Sequence, residues 1–194
     1  MIDKVLSIMK ENNNIITPSI LETYGVSRIY LSKMEKKGII EKIARGIYAT
    51  KDYKYDEYYE FQLRYPKTIF SYNTALYLYE MTERTPINMD VSIHKNYNPY
   101  LFKDFVNVYR INEEIFELGS SYKETPLGTK VRVYNLERTV CDLIKDKDSI
   151  DIEIRNKAIK KCIKSKGFNA SLMFEYAKKM KIYDKVKNYM EAII

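Results

Sequence analysis

Apolar residues recur at Ile2, Val5, Leu6 and Met9, the three-and-four spacing of one helix face, and the run Asn12-Asn13-Asn14 stops the pattern. Thr17-Pro18 then pairs an N-cap hydroxyl with a proline at the first helical position, which predicts a helix over Ser19–Tyr24. Gly25 permits a turn, Ser27 is placed to cap a third helix running to Lys37, and Gly38 ends it. Three short helices with a tight turn between the second and third predict a helix-turn-helix. Two apolar-alternating runs follow, Ile39–Ile43 and Ile47–Ala49, meeting at Arg45-Gly46. A hairpin directly after the third helix makes the expected unit a winged helix-turn-helix, built to straddle a nucleic-acid duplex; such domains also serve as protein–protein modules.

Beyond Ala49 the period is unclear until Tyr58, Phe61 and Tyr65, which predict a short helix ended by Pro66. The division is placed at Asp56, giving a winged domain over residues 1–55 and a second domain over 56–194. In the latter, Ser71 is a cap for a helix over Tyr72–Tyr79, and residues 87–94 alternate as a strand. Val106–Ile111, Ile115–Leu118 and Lys130–Tyr134 are further strand candidates, with turns at Gly119 and Pro126-Leu127-Gly128. Helices are predicted over Leu136–Lys145, capped by Asn135, and over Ile152–Lys164, Asn169–Met180 and Asp184–Ile193. The expected fold class is α+β: an N-terminal winged helix-turn-helix followed by a larger mixed α/β domain ending in several helices.

Turning the third helix at about 100° per residue separates two faces. Leu31 and Met34 point inward. Ser27, Arg28, Ile29, Ser32, Lys33 and Lys36 gather on the other side, the side that would enter a major groove. Arg28 can reach guanine O6 and N7, Ile29 a thymine methyl, and the lysines neutralise phosphates; the alternative for Ile29 is a second apolar contact within the chain. In the hairpin, Lys42 and Arg45 would lie along the phosphate backbone or in the neighbouring minor groove. These eight residues are the candidate DNA-binding set.

Charge sharpens the picture through its distribution. The chain carries a formal +7, divided as +3 over residues 1–50, −2 over 51–144 and +6 over 145–194. At the C-terminal end Lys157, Lys160, Lys161 and Lys164 fall three and four apart, and Lys178, Lys179, Lys181, Lys185 and Lys187 form a second cluster. A solvated lysine face accounts for them, and so does an RNA, DNA or acidic partner.

Candidate chemistry in the second domain is sparse. Cys141 and Cys162 match no zinc or redox spacing and read as buried thiols. The single histidine, His94, falls on a predicted strand as a satisfied or exposed imidazole. No catalytic triad, phosphate-cradling glycine loop or metal-ligand cluster is visible, so no enzyme activity, cofactor or metal is expected. The best polar set is Glu137, Arg138 and Asp142: Arg138 and Asp142 pair four apart along a helix surface, or face the sheet with Asp90 or His94 as a pocket. With no 20-residue apolar span and no charged-then-apolar leader, a soluble cytoplasmic protein without a membrane partner is expected.

The run "YGVSRIYLSKMEKKGIIEKIARGIYA" resembles the N-terminal domain of the AbiEi antitoxins, and "TIFSYNTALYLYEM" (Thr68–Met81) and "NLERTVCDLIKD" (Asn135–Asp146) extend the resemblance from about residue 4 to 180. The resemblance implies a bacterial toxin–antitoxin operon, often one of phage defence by abortive infection. The protein would bind its operator as an autorepressor and counteract a nucleotidyltransferase-like toxin without a stable complex, the type IV pattern. An RNA-binding or enzymatic factor that uses the winged domain only for positioning is the other reading.

Overall fold

The computed structural model describes residues 1–146 and 151–193, which divide into two units, Met1–Pro66 and Lys67–Ile194. Together they have the α+β composition expected, with the helix-turn-helix region first and a helical end last.

The first unit runs α1 (Ile2–Glu11), β1 (Ile15–Ile16), α2 (Pro18–Thr23), α3 (Ile29–Lys36), β2 (Glu41–Ala44), β3 (Ile47–Ala49) and α4 (Glu57–Arg64). Strand β1 is an addition to the expected elements. It pairs antiparallel with β3, Ile15 opposite Ala49 and Ile16 opposite Tyr48, making a three-stranded sheet of order β1-β3-β2. Period-2 alternation gives that sheet two buried faces. Ile16 and Tyr48 join Val5, Met9, Leu21, Leu31 and Met34 in the helical core. Ile15, Ile47 and Ala49 point the other way, where Tyr59 and Leu63 of α4 and Tyr53 cover them. Burying each isoleucine there contributes about 1.5–3 kcal/mol. This contact groups α4 with the first unit, whereas the sequence pattern put the division before it. Asp56 starts α4 by accepting from the Tyr58 and Tyr59 amides at 3.2 Å.

The second unit holds a five-stranded mixed sheet of order β6-β5-β4-β8-β7, with β4 (Thr68–Phe70) central, β5 over Met89–His94, β6 over Val106–Ile111, β7 over Ser120–Glu124 and β8 over Lys130–Tyr134. β4 runs antiparallel to β5 and parallel to β8. Helices α5 (Tyr72–Leu78), α7 (Leu136–Lys145), α8 (Ile152–Lys164), α9 (Ala170–Lys179) and α10 (Tyr183–Ile193) share one core, including Leu76, Val140, Leu143, Ile159, Met173 and Val186.

One expectation is corrected, and two strands are added. Ile115–Leu118 is not a strand: Glu113–Phe116 forms a helical turn, α6, beginning after Asn112 with Glu113 and Glu114 at its positive end. The strand in this region is β7, whose polar Ser120–Glu124 sequence suits a sheet edge and whose register is set by β8, Ser120 opposite Tyr134 and Glu124 opposite Lys130. β4 was also absent from the expected elements; three residues are too few to show a period.

Candidate nucleic-acid interface

Local chemistry builds the α2–turn–α3 segment. The Thr17 side chain accepts from the Ile20 amide at 3.2 Å and Pro18 opens α2. Gly25 turns the chain at φ +70°. α3 begins one residue later than the Ser27 cap predicted: Arg28 already has helical angles, φ −55° and ψ −19°, and occupies the N-cap position. The Ser27 hydroxyl still accepts from the Ile29 amide, at a long 3.4 Å. At the other end Gly38, φ +67°, donates to the Glu35 carbonyl and Ile39 to that of Met34, closing the helix.

Leu31 and Met34 are 1% and 0% exposed, which pins the rotation of α3. Ser27, Arg28, Ile29, Ser32, Lys33 and Lys36 are all exposed in consequence. Ile29 keeps 59% of its surface in solvent, so no second apolar contact within the described chain claims it. On the wing, Lys42 and Arg45 are exposed as well, with Lys42 opposite Tyr48 and its ammonium 6.0 Å from that ring's centre. Gly46 at φ +73° makes the turn next to Arg45. Among the described residues none of the cations Arg28, Lys33, Lys36, Lys42 and Arg45 has a carboxylate within salt-bridge reach. Cations left unpaired and solvated are free to meet phosphates without first breaking an ion pair.

Two residues that the pattern did not single out join this surface. Tyr30 lies under the Lys33 ammonium at 5.7 Å, and Lys37 is exposed at the C-cap of α3. With Lys33, Lys36 and the first residues of α1 they line a recess of about 610 Å³. The Lys36-Lys37 pair was the available signal, since the C-cap residue remains on the helix surface.

The polar residues of the second unit do not form the pocket that was one of their two expected arrangements. Arg138 is fully buried, its Nε 3.1 Å from both Asp142 carboxylate oxygens, its Nη1 donating to the Ile115 and Leu118 carbonyls at 2.6 and 2.8 Å. The pair exists at the expected spacing, in the interior instead of on the surface. Asp142 holds Arg138 charged against the cost of burial. Glu137 accepts from the Asn169 amide at 2.8 Å and so fixes the start of α9. Asp90 is taken up elsewhere: its carboxylate accepts from the Asn73 amide at 2.8 Å, the Asn73 side chain at 2.9 Å and Asn107 at 2.7 Å. It caps α5 from the neighbouring strand, where the predicted cap, Ser71, instead bonds the Ser92 hydroxyl. This cap supports Tyr72, whose φ of +45° is costly for a bulky side chain, and the Tyr72 ring stacks on Tyr109 at 3.8 Å. His94 sits at the end of β5, 3.7 Å from the Glu113 carboxylate. Burial pushes the Cys141 and Cys162 thiols up to about 12, the condition of inert core cysteines. Among the described residues no group of His, Cys, Asp or Glu is placed to hold a metal ion, and no helix is long and apolar enough to cross a membrane.

The crystal structure of the RV2827C protein from Mycobacterium tuberculosis is similar at 11% identity and a TM-score of 0.48, covering 95% of this chain and 76% of that one. No curated protein matches the chain. Residues 4–51, from α1 through the wing, match the model of a family described as transcriptional regulator, AbiEi antitoxin.

Proposed function

We propose that the protein is the antitoxin of a type IV toxin–antitoxin operon, acting as its own repressor. The first unit binds operator duplex in the promoter, with α3 in the major groove and the wing along the backbone. Lys67–Ile194 counteracts a nucleotidyltransferase-like toxin and needs no stable complex to do so. The observation that carries the DNA reading is the exposed face of α3 and the wing, where Arg28, Ile29, Lys33, Lys36, Lys42 and Arg45 all reach solvent and the cations lack acidic partners among the described residues. In this reading Arg28 and Ile29 contact base edges with Ser27 and Ser32 beside them, and the remaining cations contact phosphates. Repression protects a host from toxin overproduction, and the antitoxin function of the matched family supplies the second half of the reading.

The test is fluorescence anisotropy on the promoter fragment of the protein's own operon and on random duplex. Arg28→Ala is expected to weaken operator binding by about 1–3 kcal/mol and random-duplex binding far less. Lys42→Ala and Arg45→Ala are expected to weaken both equally, each lowering the slope of log K against log salt by about 0.9. Equal loss for Arg28→Ala on the two duplexes refutes base reading, and an unchanged slope for the wing variants removes the wing from the interface.

A further inference from the structure

The second unit carries a cationic face that the operator reading leaves unused. On α8 the core side is set by Arg155, Ala158, Ile159 and Cys162, all buried. Lys157, Lys160, Lys161 and Lys164 fall on the opposite side and are exposed. Along the axis, at 1.5 Å per residue, Lys157, Lys160 and Lys164 stand about 5–6 Å apart, with Lys161 one residue beyond Lys160. Acidic residues are confined to the N-cap, Asp151, and the first turn, Glu153, and no described carboxylate pairs with any of the four lysines.

This stripe leads into a recess of about 250 Å³ between α8 and the segment that follows α5. Its apolar wall is Met81, Ile154 and Ala158. Its polar wall mixes Arg84, Lys157 and Lys161 with Glu83, Glu153 and the hydroxyl-bearing Thr82. The ammonium of Lys161 is already committed to the Glu80 carbonyl at 2.6 Å. Two carboxylates offset the remaining cations, so the recess disfavours a phosphate and favours a flat, neutral group that offers hydrogen-bond donors. A nucleobase with its ribose has that character, and its phosphates would fall on the lysine-only stripe outside.

We infer that α8 binds single-stranded RNA, with the backbone on Lys157, Lys160 and Lys164 and one unstacked nucleoside in the recess beside Thr82 and Glu153. A duplex is a poorer fit, because its bases are stacked and paired and cannot enter a concave site. RNA fits better than single-stranded DNA, because the carboxylates and Thr82 supply acceptors for a 2′-hydroxyl.

The experiment uses the full chain carrying Arg28→Ala, Lys33→Ala and Arg45→Ala, which removes the proposed duplex-binding face. Anisotropy is measured on a labelled unstructured 12-nucleotide A/C RNA, on single-stranded DNA of the same sequence and on the corresponding RNA duplex. The RNA strand is expected to bind at least about tenfold more tightly than either competitor. Adding Lys157→Ala, Lys160→Ala and Lys164→Ala lowers the salt slope by about 2, since each single-strand phosphate contact releases about 0.7 counterion. Thr82→Trp fills the recess and is expected to weaken RNA binding about tenfold while leaving that slope unchanged. Equal binding of all three nucleic acids, no binding of the RNA strand, or an unaltered slope in the lysine variant overturns the inference. Loss of operator binding in wild-type protein with RNA binding intact refutes the repressor reading and leaves this one standing.

Discussion

Replacing Arg138 by methionine removes one guanidinium and strands three acceptors. Asp142, 1% exposed, loses its counter-ion, and the Ile115 and Leu118 carbonyls lose donors at 2.6 and 2.8 Å. Breaking a buried ion pair by deleting one partner costs about 3–5 kcal/mol. The two carbonyls add about 1–3 kcal/mol each where water cannot reach them. The guanidinium also lies 4.3 Å from the centre of the Tyr134 ring, a contact that methionine retains in part through its sulfur. A loss of at least about 5 kcal/mol is therefore expected, close to the whole stability of a marginal domain and equivalent to a melting shift of roughly 10–20 °C or more. Asp142→Leu alone leaves a buried guanidinium and is expected to cost about 3–5 kcal/mol. The double variant removes both charges and keeps only the carbonyl penalty, so it should cost several kcal/mol less than the two single variants added together. The assay is urea unfolding followed by circular dichroism, with amide exchange on α7 to assign the loss to the second unit. A shift below about 1 kcal/mol for Arg138→Met, or a double variant as unstable as the sum of the singles, refutes the structural role. Unchanged stability combined with lost toxin rescue would instead make this pair part of a functional site.

Gly119→Ala and Gly46→Ala form a matched pair: both glycines have φ above +70°, yet a Cβ at Gly119 would stand 2.5 Å from the Arg138 Cβ and one at Gly46 would meet nothing within 4 Å. Gly46→Ala should cost about 1–2 kcal/mol in thermal melting, and Gly119→Ala clearly more, about 3 kcal/mol or above. Asp90→Ala removes the cap of α5 and is expected to cost about 3 kcal/mol, with Asp90→Asn recovering part of it in the same melts; equal losses would show that the carboxylate's charge is what matters. The Cys141 and Cys162 thiols, raised from 9.0 to about 12, ionise in the unfolded chain first, so stability falls as pH rises from about 9 to 12 by up to about 1.4 kcal/mol per unit for each thiol. Native protein should resist a thiol-reactive disulfide reagent at pH 8, and rapid labelling without unfolding would contradict the burial.

Leu136–Lys145, Ile152–Lys164, Val106–Ile111 and Lys130–Tyr134 were legible because each combines a sustained period with a cap, a glycine or a proline at its end. β1, β4 and β7 were not. Ile15–Ile16 and Thr68–Phe70 are too short to carry a period, and Ser120–Glu124 has no apolar face; their pairing partners make them strands. The α3 face was readable because two buried residues, Leu31 and Met34, fix the rotation of a whole helix. Depth was harder. Four-residue spacing identifies Arg138 and Asp142 as neighbours whether they lie on a surface or inside, and burial of α7 on nearly every side is a property of the helices and sheet around it. Asp90 illustrates the same limit, since a cap supplied from residue 90 to residue 73 has no local signature.

Burial also determines how the arginines of this chain should be interrogated. Arg28 and Arg45 are exposed and without ion pairs among the described residues, and their side chains contribute little to folding. Arg138 has the same chemistry inside the second unit, where its Nε and Nη1 are taken up by Asp142 and two carbonyls. Loss of function therefore means different things at the two places. At Arg28 or Arg45 it reports on a contact with something outside the chain, provided the melting temperature is unchanged. At Arg138 it reports first on the fold, and only a fractional loss of activity larger than the unfolded fraction would point to chemistry. Substituting Arg28, Lys33 and Arg45 together should abolish repression and leave toxin rescue intact when expression is held constant, because none of the three supports a core. If that variant melts normally and still loses rescue at matched levels, DNA binding is part of neutralisation and the assignment of the two tasks to separate units fails.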